Sequence, residues 1–357
     1  TMQKDFTKAH SNMAKGLAIL LLLAYHLFGE EETLVSMGVN HAPFSQEGFL
    51  RFSEFGNVCV SVFVFLTAFG IATGLLAQKE SLSGPAFWEK AYRQAAKRFL
   101  RLMLNFAILY ASVNLLWWHK FDYASLYGAG EQGALLMLTD ALGLSMFFGT
   151  PTLNATWWYM EIAYILIFLI PFLTWLTGKI GYPILLLAFF LPSAVAVQPD
   201  LRRYLFAAVF GVCAAYGKWP DRLLNLKLHP AAQWAAGTIG FFLCVLIRQN
   251  YVVHEYYIHL ADAPLSLFLI FLAAALIGSL PVPGKALAFI GKHSMNIYLV
   301  HTFFYLILWR QYIYRFRYAG ITFLLLLAVC LLYSVALEAI KRIAGRVISK
   351  APRPGRK

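Results

Sequence analysis

Residues 14–28 read AKGLAILLLLAYHLF, an almost unbroken aliphatic run interrupted by Lys15 and His26. At about 100° per residue, their separation is close to three whole helical turns. Both polar groups therefore stand on one side of a helix, about 16 Å apart along its axis. An ionisable side chain at the centre of a bilayer costs roughly 2.5–3.5 kcal/mol on insertion scales, and residues that bear this cost face a partner or a wet cavity. The stretch predicts a membrane-spanning helix with a polar site on one face.

The rest of the chain agrees with that reading. Over 357 residues, 60% are hydrophobic, 16% aromatic and only 13% charged, with a mean hydropathy of +0.63. This is too little polar surface for a soluble protein of this length. The expected fold is all-α, a polytopic transmembrane helical bundle. About ten segments reach spanning length: 13–29, 57–77, 99–118, 157–177, 181–198, 203–217, 231–248, 263–280, 288–309 and 320–341. A further apolar stretch near 134–149 reads as a re-entrant or interfacial helix rather than a crossing, because that choice segregates the basic residues. Of 30 Lys and Arg, it leaves only Arg51, Lys120, Arg202, Arg203, Arg248, Arg310, Arg315 and Arg317 on the far side.

Both termini are accordingly expected in the cytoplasm, in a multi-pass protein of the cell (inner or plasma) membrane. Residues 1–343 read as a single transmembrane domain and 344–357 as a basic cytoplasmic tail. The stretch from Lys341, with Pro352 and Pro354, is expected as an unstructured arm near anionic headgroups. No small-x-small cleavage pattern follows Phe28, so the first span reads as retained rather than removed as a leader.

The net charge of +13 forms no stripe with interleaved aromatics, which argues against a nucleic-acid partner. Cys59, Cys213, Cys244 and Cys330 are scattered singly through apolar runs and read as small buried hydrophobes, with no metal-ligand spacing.

Four constellations carry possible chemistry. His26 is the first: imidazole gains and loses its proton near neutrality and suits general-base work, although a core histidine bonded to a neighbouring helix has the same sequence signature. Lys15 either meets an anion or snorkels. Arg98 and Arg101, at i and i+3, form a pair of forks suited to phosphate oxygens. Topogenic charge accounts for Lys90 and Arg93 more readily than for Arg101, which lies beyond Phe99 and Leu100. In the third, NATWWYME (154–161), Glu161 lies a turn inside the aromatic belt that includes Trp157, either orienting the histidine or holding an ion pair. In GKHSMNIYLVH (291–301), Ser294, Tyr298 and His301 share a helical face and read first as packing residues.

Taken in order, these elements resemble acyltransferase family 3 of membrane-bound O-acyltransferases. That family has a basic residue, ten intervening positions and a histidine in its first span, matched by Lys15 and His26. Its small-residue and aromatic run is echoed by VSVFVFLTAFG (60–70), and its paired arginines by Arg98 and Arg101. Its Trp-rich entry before an acidic residue is matched by Trp157 to Glu161, and its late SYSIYLVH-like element by Ser294 to His301. The similarity runs from about residue 10 to 305. Lys15 stands where arginine is commoner and lacks the bidentate fork, so an anion contact there is looser. Thr67-Ala-Phe-Gly stands where Ser-Gly-Phe is usual.

The resemblance implies transfer of an acyl group, usually acetyl, from cytoplasmic acyl-coenzyme A to a hydroxyl of a sugar or glycan across the membrane, as in polysaccharide modification at a bacterial cell surface. It assigns His26 as general base with Glu161 assisting, and Lys15, Arg98 and Arg101 as the coenzyme A contacts. Tyr25, Trp157, Ser294, Tyr298 and His301 are supporting or substrate-binding residues; acetyl-CoA is the donor and no metal is required. Two other classes remain at this stage. One is a flippase for a glycan or lipid-linked sugar, for which no inverted repeat is visible. The other is the set of membrane acyltransferases acting on lipids or proteins, whose key histidine lies late in the chain, as His301 does.

Overall fold

Thr7 and His10 cap each other's backbone N–H groups and start the first helix at Lys8. From there the chain forms α1 (Lys8–Phe28), a short α2 (Gln46–Phe55), α3 (Cys59–Leu76), α4 (Pro85–Trp117), α5 (Gly130–Ala141), α6 (Tyr159–Ile180) and α7 (Ile184–Ala194). It continues through α8 (Pro199–Gly217), α9 (Pro230–Gln249), α10 (Ile258–Phe271), α11 (Pro281–Lys292), α12 (Ser294–Thr302) and α13 (Ala319–Lys350), with shorter turns between them. The computed structural model describes residues 5–78, 84–194, 199–250, 253 and 257–350. Lys4, Lys79 and the tail beyond Lys350, which entered the charge argument, lie outside the described residues. Among those described there is no β-strand, only an isolated bridge between Asn40 and Tyr318.

Contacts near the helix ends fix the direction of each pass. Gly56 abuts Leu21 and Tyr25, while Phe6 meets Phe69 edge-on at 5.5 Å, so α1 and α3 are antiparallel. Arg98 of α4 lies beside Gly74 near the end of α3. Arg203, near the start of α8, reaches Asn57 at 3.2 Å, and Tyr182 meets Trp219 at the other end of that helix. Phe189 of α7 stacks on Tyr257 just before α10. Among the described residues these contacts order the helices between a basic end, where α1 begins, and an opposite end, where it finishes, and ten helical segments are placed to pass between them. Seven helices among the described residues are long and apolar enough to cross a membrane. The remaining passes use the shorter or more polar α7, α8 and Ser294–Leu308.

α3 is apolar all round and lies at the centre, packed by α1, α6, α8 and α10, as expected for a helix with no polar face. α11 packs against α1 so closely that a Cβ at Gly16 or Gly291 would meet backbone of the other helix. α4 has 33 residues, about 50 Å of helix against about 30 Å of hydrocarbon, so its first part, with Glu89, Lys90 and Arg93, extends past the apolar zone.

The apolar stretch near 134–149 does not cross. α5 has 12 residues, about 18 Å, too short to span. Its position at the opposite end is set by Asp140, which is buried and accepts from Tyr127 Oη at 2.6 Å, Ser145 Oγ at 3.0 Å and the Leu153 N–H at 2.7 Å. Burial and the Asp140 carboxylate push the Tyr127 phenol well above its ordinary range, so it remains a donor. The unstructured arm expected from Lys341 requires correction. α13 continues to Lys350, because no proline interrupts it before Pro352 and Lys341 pairs with Glu338 at 2.9 Å one turn back.

Candidate active site

Lys15, Leu22 and His26 lie along one side of α1, and cavities open on that side. The inner cavity, ≈ 170 Å³, is lined by Lys15, Thr67, Leu102, Tyr159, Ser294 and other, mostly apolar, side chains. The outer cavity, ≈ 440 Å³, is lined by His26, Tyr25, Asn57, Trp158, Asp200, Arg203 and Tyr204 among others. Leu22, Val60 and Tyr298 line both, so these three residues form a collar where the cavities meet. A third cavity, ≈ 220 Å³, shares Tyr25 and Asn57 with the outer one and adds Arg51, Glu54 and Arg248. Arg248 is buried and held by Asp262 at 2.6 Å. Three neighbouring cavities thus follow one another from the lysine in the basic half to a charged group of side chains at the opposite end, each sharing wall residues with the next.

The His26 ring meets a second imidazole. His26 Nδ1 is hydrogen-bonded to Nε2 of His301, with ring centroids 4.7 Å apart and planes within 12°, an edge-to-edge arrangement. His301 is fully buried, and its Nδ1 lies 2.6 Å from the Tyr298 carbonyl. Tyr305 stacks near both rings. The Tyr298 hydroxyl donates to the Thr156 carbonyl, which anchors the collar residue to the entry of α6.

The structure gathers most of the sequence-derived site residues, though not all. Tyr25, His26 and Tyr298 border the outer cavity; Lys15, Ser294 and Tyr298 border the inner one. Trp157 is buried and pins α12 by donating to the Leu299 carbonyl at 3.0 Å, a packing role away from the cavities. Glu161 is buried on α6 and is not among the residues that line the inner or the outer cavity. Tyr159 and Ala163 face the inner cavity, and Glu161 lies about 200° round α6 from Tyr159, on the far side of the helix. Arg98 is half-buried beside Gly74, one turn from the cavity-lining Leu102 on the same face of α4. Arg101 is exposed.

Sequence reasoning missed Asn57, Arg203 and Thr156. The first two carried a signal, a polar residue just inside an apolar segment, but Arg203 reads equally well as a topogenic charge. Thr156 sits inside a motif whose tryptophans draw the eye.

Residues 10–339 match the family described as acyltransferase domain. No curated protein and no solved structure matches the chain.

Proposed function

The chain belongs to acyltransferase family 3, a family of membrane acyltransferases, and on that premise we propose that it moves an acyl group, acetyl in the first instance, from acyl-coenzyme A to a hydroxyl of a sugar or glycan at the opposite end of the bundle, with His26 as general base. The observation that carries this reading is the pair of cavities meeting at Leu22, Val60 and Tyr298, with Lys15 on one side and His26 on the other. Coenzyme A is a long, thin molecule with phosphates at one end and the thioester at the other. The span of about 16 Å between Lys15 and His26 is comparable to the reach of its pantetheine arm. Lys15 then meets donor phosphate, with Arg98 at the mouth, and the thioester lies at the collar. The basic end is the cytoplasmic one and both termini lie there, the orientation the distribution of Lys and Arg favours.

The acceptor occupies the outer cavity, where Trp158 supplies an aromatic face and Asn57, Asp200 and Arg203 supply hydrogen-bonding groups suited to a hydroxyl-rich molecule. His26 takes the acceptor hydroxyl proton and the oxygen attacks the thioester carbonyl carbon. The carbon–sulfur bond breaks, and the leaving sulfur recovers the proton from the imidazolium as free coenzyme A.

The test uses membranes containing the natural acceptor, supplied with radiolabelled acetyl-CoA. His26→Ala is expected to lower label transfer by at least about 10²-fold while donor binding persists. Undiminished transfer removes His26 from the mechanism. A transporter would move its cargo without releasing coenzyme A, so acceptor-dependent coenzyme A release separates the two classes.

A further inference from the structure

We propose that His301 is a positioning residue that fixes His26 in the tautomer carrying its hydrogen on Nδ1, leaving the Nε2 lone pair for the acceptor. The argument begins from groups whose hydrogen-bonding sense is fixed. A carbonyl oxygen only accepts, so His301 Nδ1 donates to Tyr298 O at 2.6 Å. A neutral imidazole has one ring hydrogen, which leaves His301 Nε2 as an acceptor. The other group near Nε2 is the Thr302 hydroxyl, at 3.4 Å, and its hydrogen is committed elsewhere. Asn154 Oδ1 accepts both the Thr156 N–H at 3.0 Å and the Thr156 hydroxyl at 2.8 Å, which fixes the amide orientation. Thr156 Oγ1 therefore receives from Thr302 Oγ1 at 3.0 Å. The donor to His301 Nε2 is His26 Nδ1–H.

The chain Tyr298 carbonyl, His301, His26 thus has one direction. When the acceptor proton arrives at His26 Nε2, the Nδ1–H bond becomes charge-assisted and stabilises the imidazolium. The arrangement performs the task of the carboxylate in a Ser-His-Asp triad, holding tautomer and orientation. A neutral partner does so without burying an anion in hydrocarbon. The titratable and charged groups around His26 are Tyr25 on its own helix, Tyr305 beside its ring, and Cys59, Asp200, Arg203, Tyr204 and Tyr298 in the wall of the same cavity.

This inference rests on His26 being the base, and its test separates the two. The full chain carrying His301→Leu, which fills the volume without an acceptor, is compared with His301→Gln, whose amide oxygen replaces Nε2 as acceptor. Two readouts are used: label transfer from acetyl-CoA in acceptor-containing membranes, and the pH profile of His26 carbethoxylation by diethylpyrocarbonate, followed by peptide mass spectrometry. His301→Leu is expected to cut the transfer rate by about 10²–10⁴-fold with donor KM unchanged, and to shift the pH midpoint of His26 modification downward. His301→Gln is expected to recover transfer to within about tenfold and to restore the midpoint. Equal losses in both variants with an unmoved His26 profile overturn the proposal, as does full activity in His301→Leu. If His26→Ala alone proves active, the base reading fails instead. Should His301→Leu not yield monodisperse protein, His301→Phe, a planar ring that also lacks an acceptor for the His26 Nδ1–H, takes its place beside His301→Gln, and a His26 midpoint that is the same in both variants overturns the proposal.

Discussion

An imidazole and an ammonium on one face of an apolar helix are costly in hydrocarbon, and α1 places each against a cavity. The two residues differ in how replaceable they are. Lys15 offers a compact charge, so Lys15→Met is expected to raise the donor KM by about 10–100-fold, the equivalent of one charged hydrogen bond at about 1.5–3 kcal/mol. Lys15→Arg, with a bidentate fork, is expected to hold the donor at least as well. Donor titrations of the two variants check both statements; a KM unmoved by Lys15→Met would place the donor phosphates elsewhere. Lys15 and His26 were legible in the sequence because helical period alone puts them on a common face. The partnership with His301 was not, since it joins positions 275 residues apart and depends on which helices become neighbours. Glu161 shows the complementary limit. Hydropathy marks it as buried, but only the packed bundle determines which side of α6 meets the cavity.

At the scale of elements, α5 and the turns around it form a cover whose fixed point is Asp140. Met146 from this segment lines the outer cavity, which links the stability of the cover to the acceptor end of the site. Asp140→Ala leaves the Leu153 N–H without its acceptor, at about 1–3 kcal/mol for a buried donor, and leaves Tyr127 and Ser145 only their weaker partners, Tyr110 Oη at 3.0 Å and the Pro151 carbonyl at 3.1 Å. The expected outcome is a lower thermal midpoint in detergent and a raised acceptor KM with donor binding unchanged; a variant of wild-type stability would show that the cover is held some other way. Gly291→Ala should destabilise as well, by about 1–3 kcal/mol, because the new Cβ meets the backbone at Asn12. The existence of the helices was readable from apolar run length. Their ends were less so: the basic stretch after Lys341 resembles a solvated arm in composition, yet it continues α13 because nothing in it stops a helix until Pro352.

For the whole molecule, the consequence is a path rather than a point. Beside the central α3, one cavity lies next to Lys15 and another next to His26, with Leu22, Val60 and Tyr298 in the walls of both, and the proposed mechanism joins them into one route narrowed at those three residues. A bulky side chain at the narrowing is expected to block that route, so Val60→Trp should abolish transfer while leaving donor phosphate binding at Lys15 intact. The most direct measurement reconstitutes oriented protein in vesicles that carry the acceptor only on the face opposite the basic end, with radiolabelled acetyl-CoA supplied on one face at a time. The account predicts label on the acceptor when the donor is on the basic side, none when it is on the other, and none in His26→Ala. Transfer from the wrong face, or transfer that survives loss of the imidazole, would contradict it.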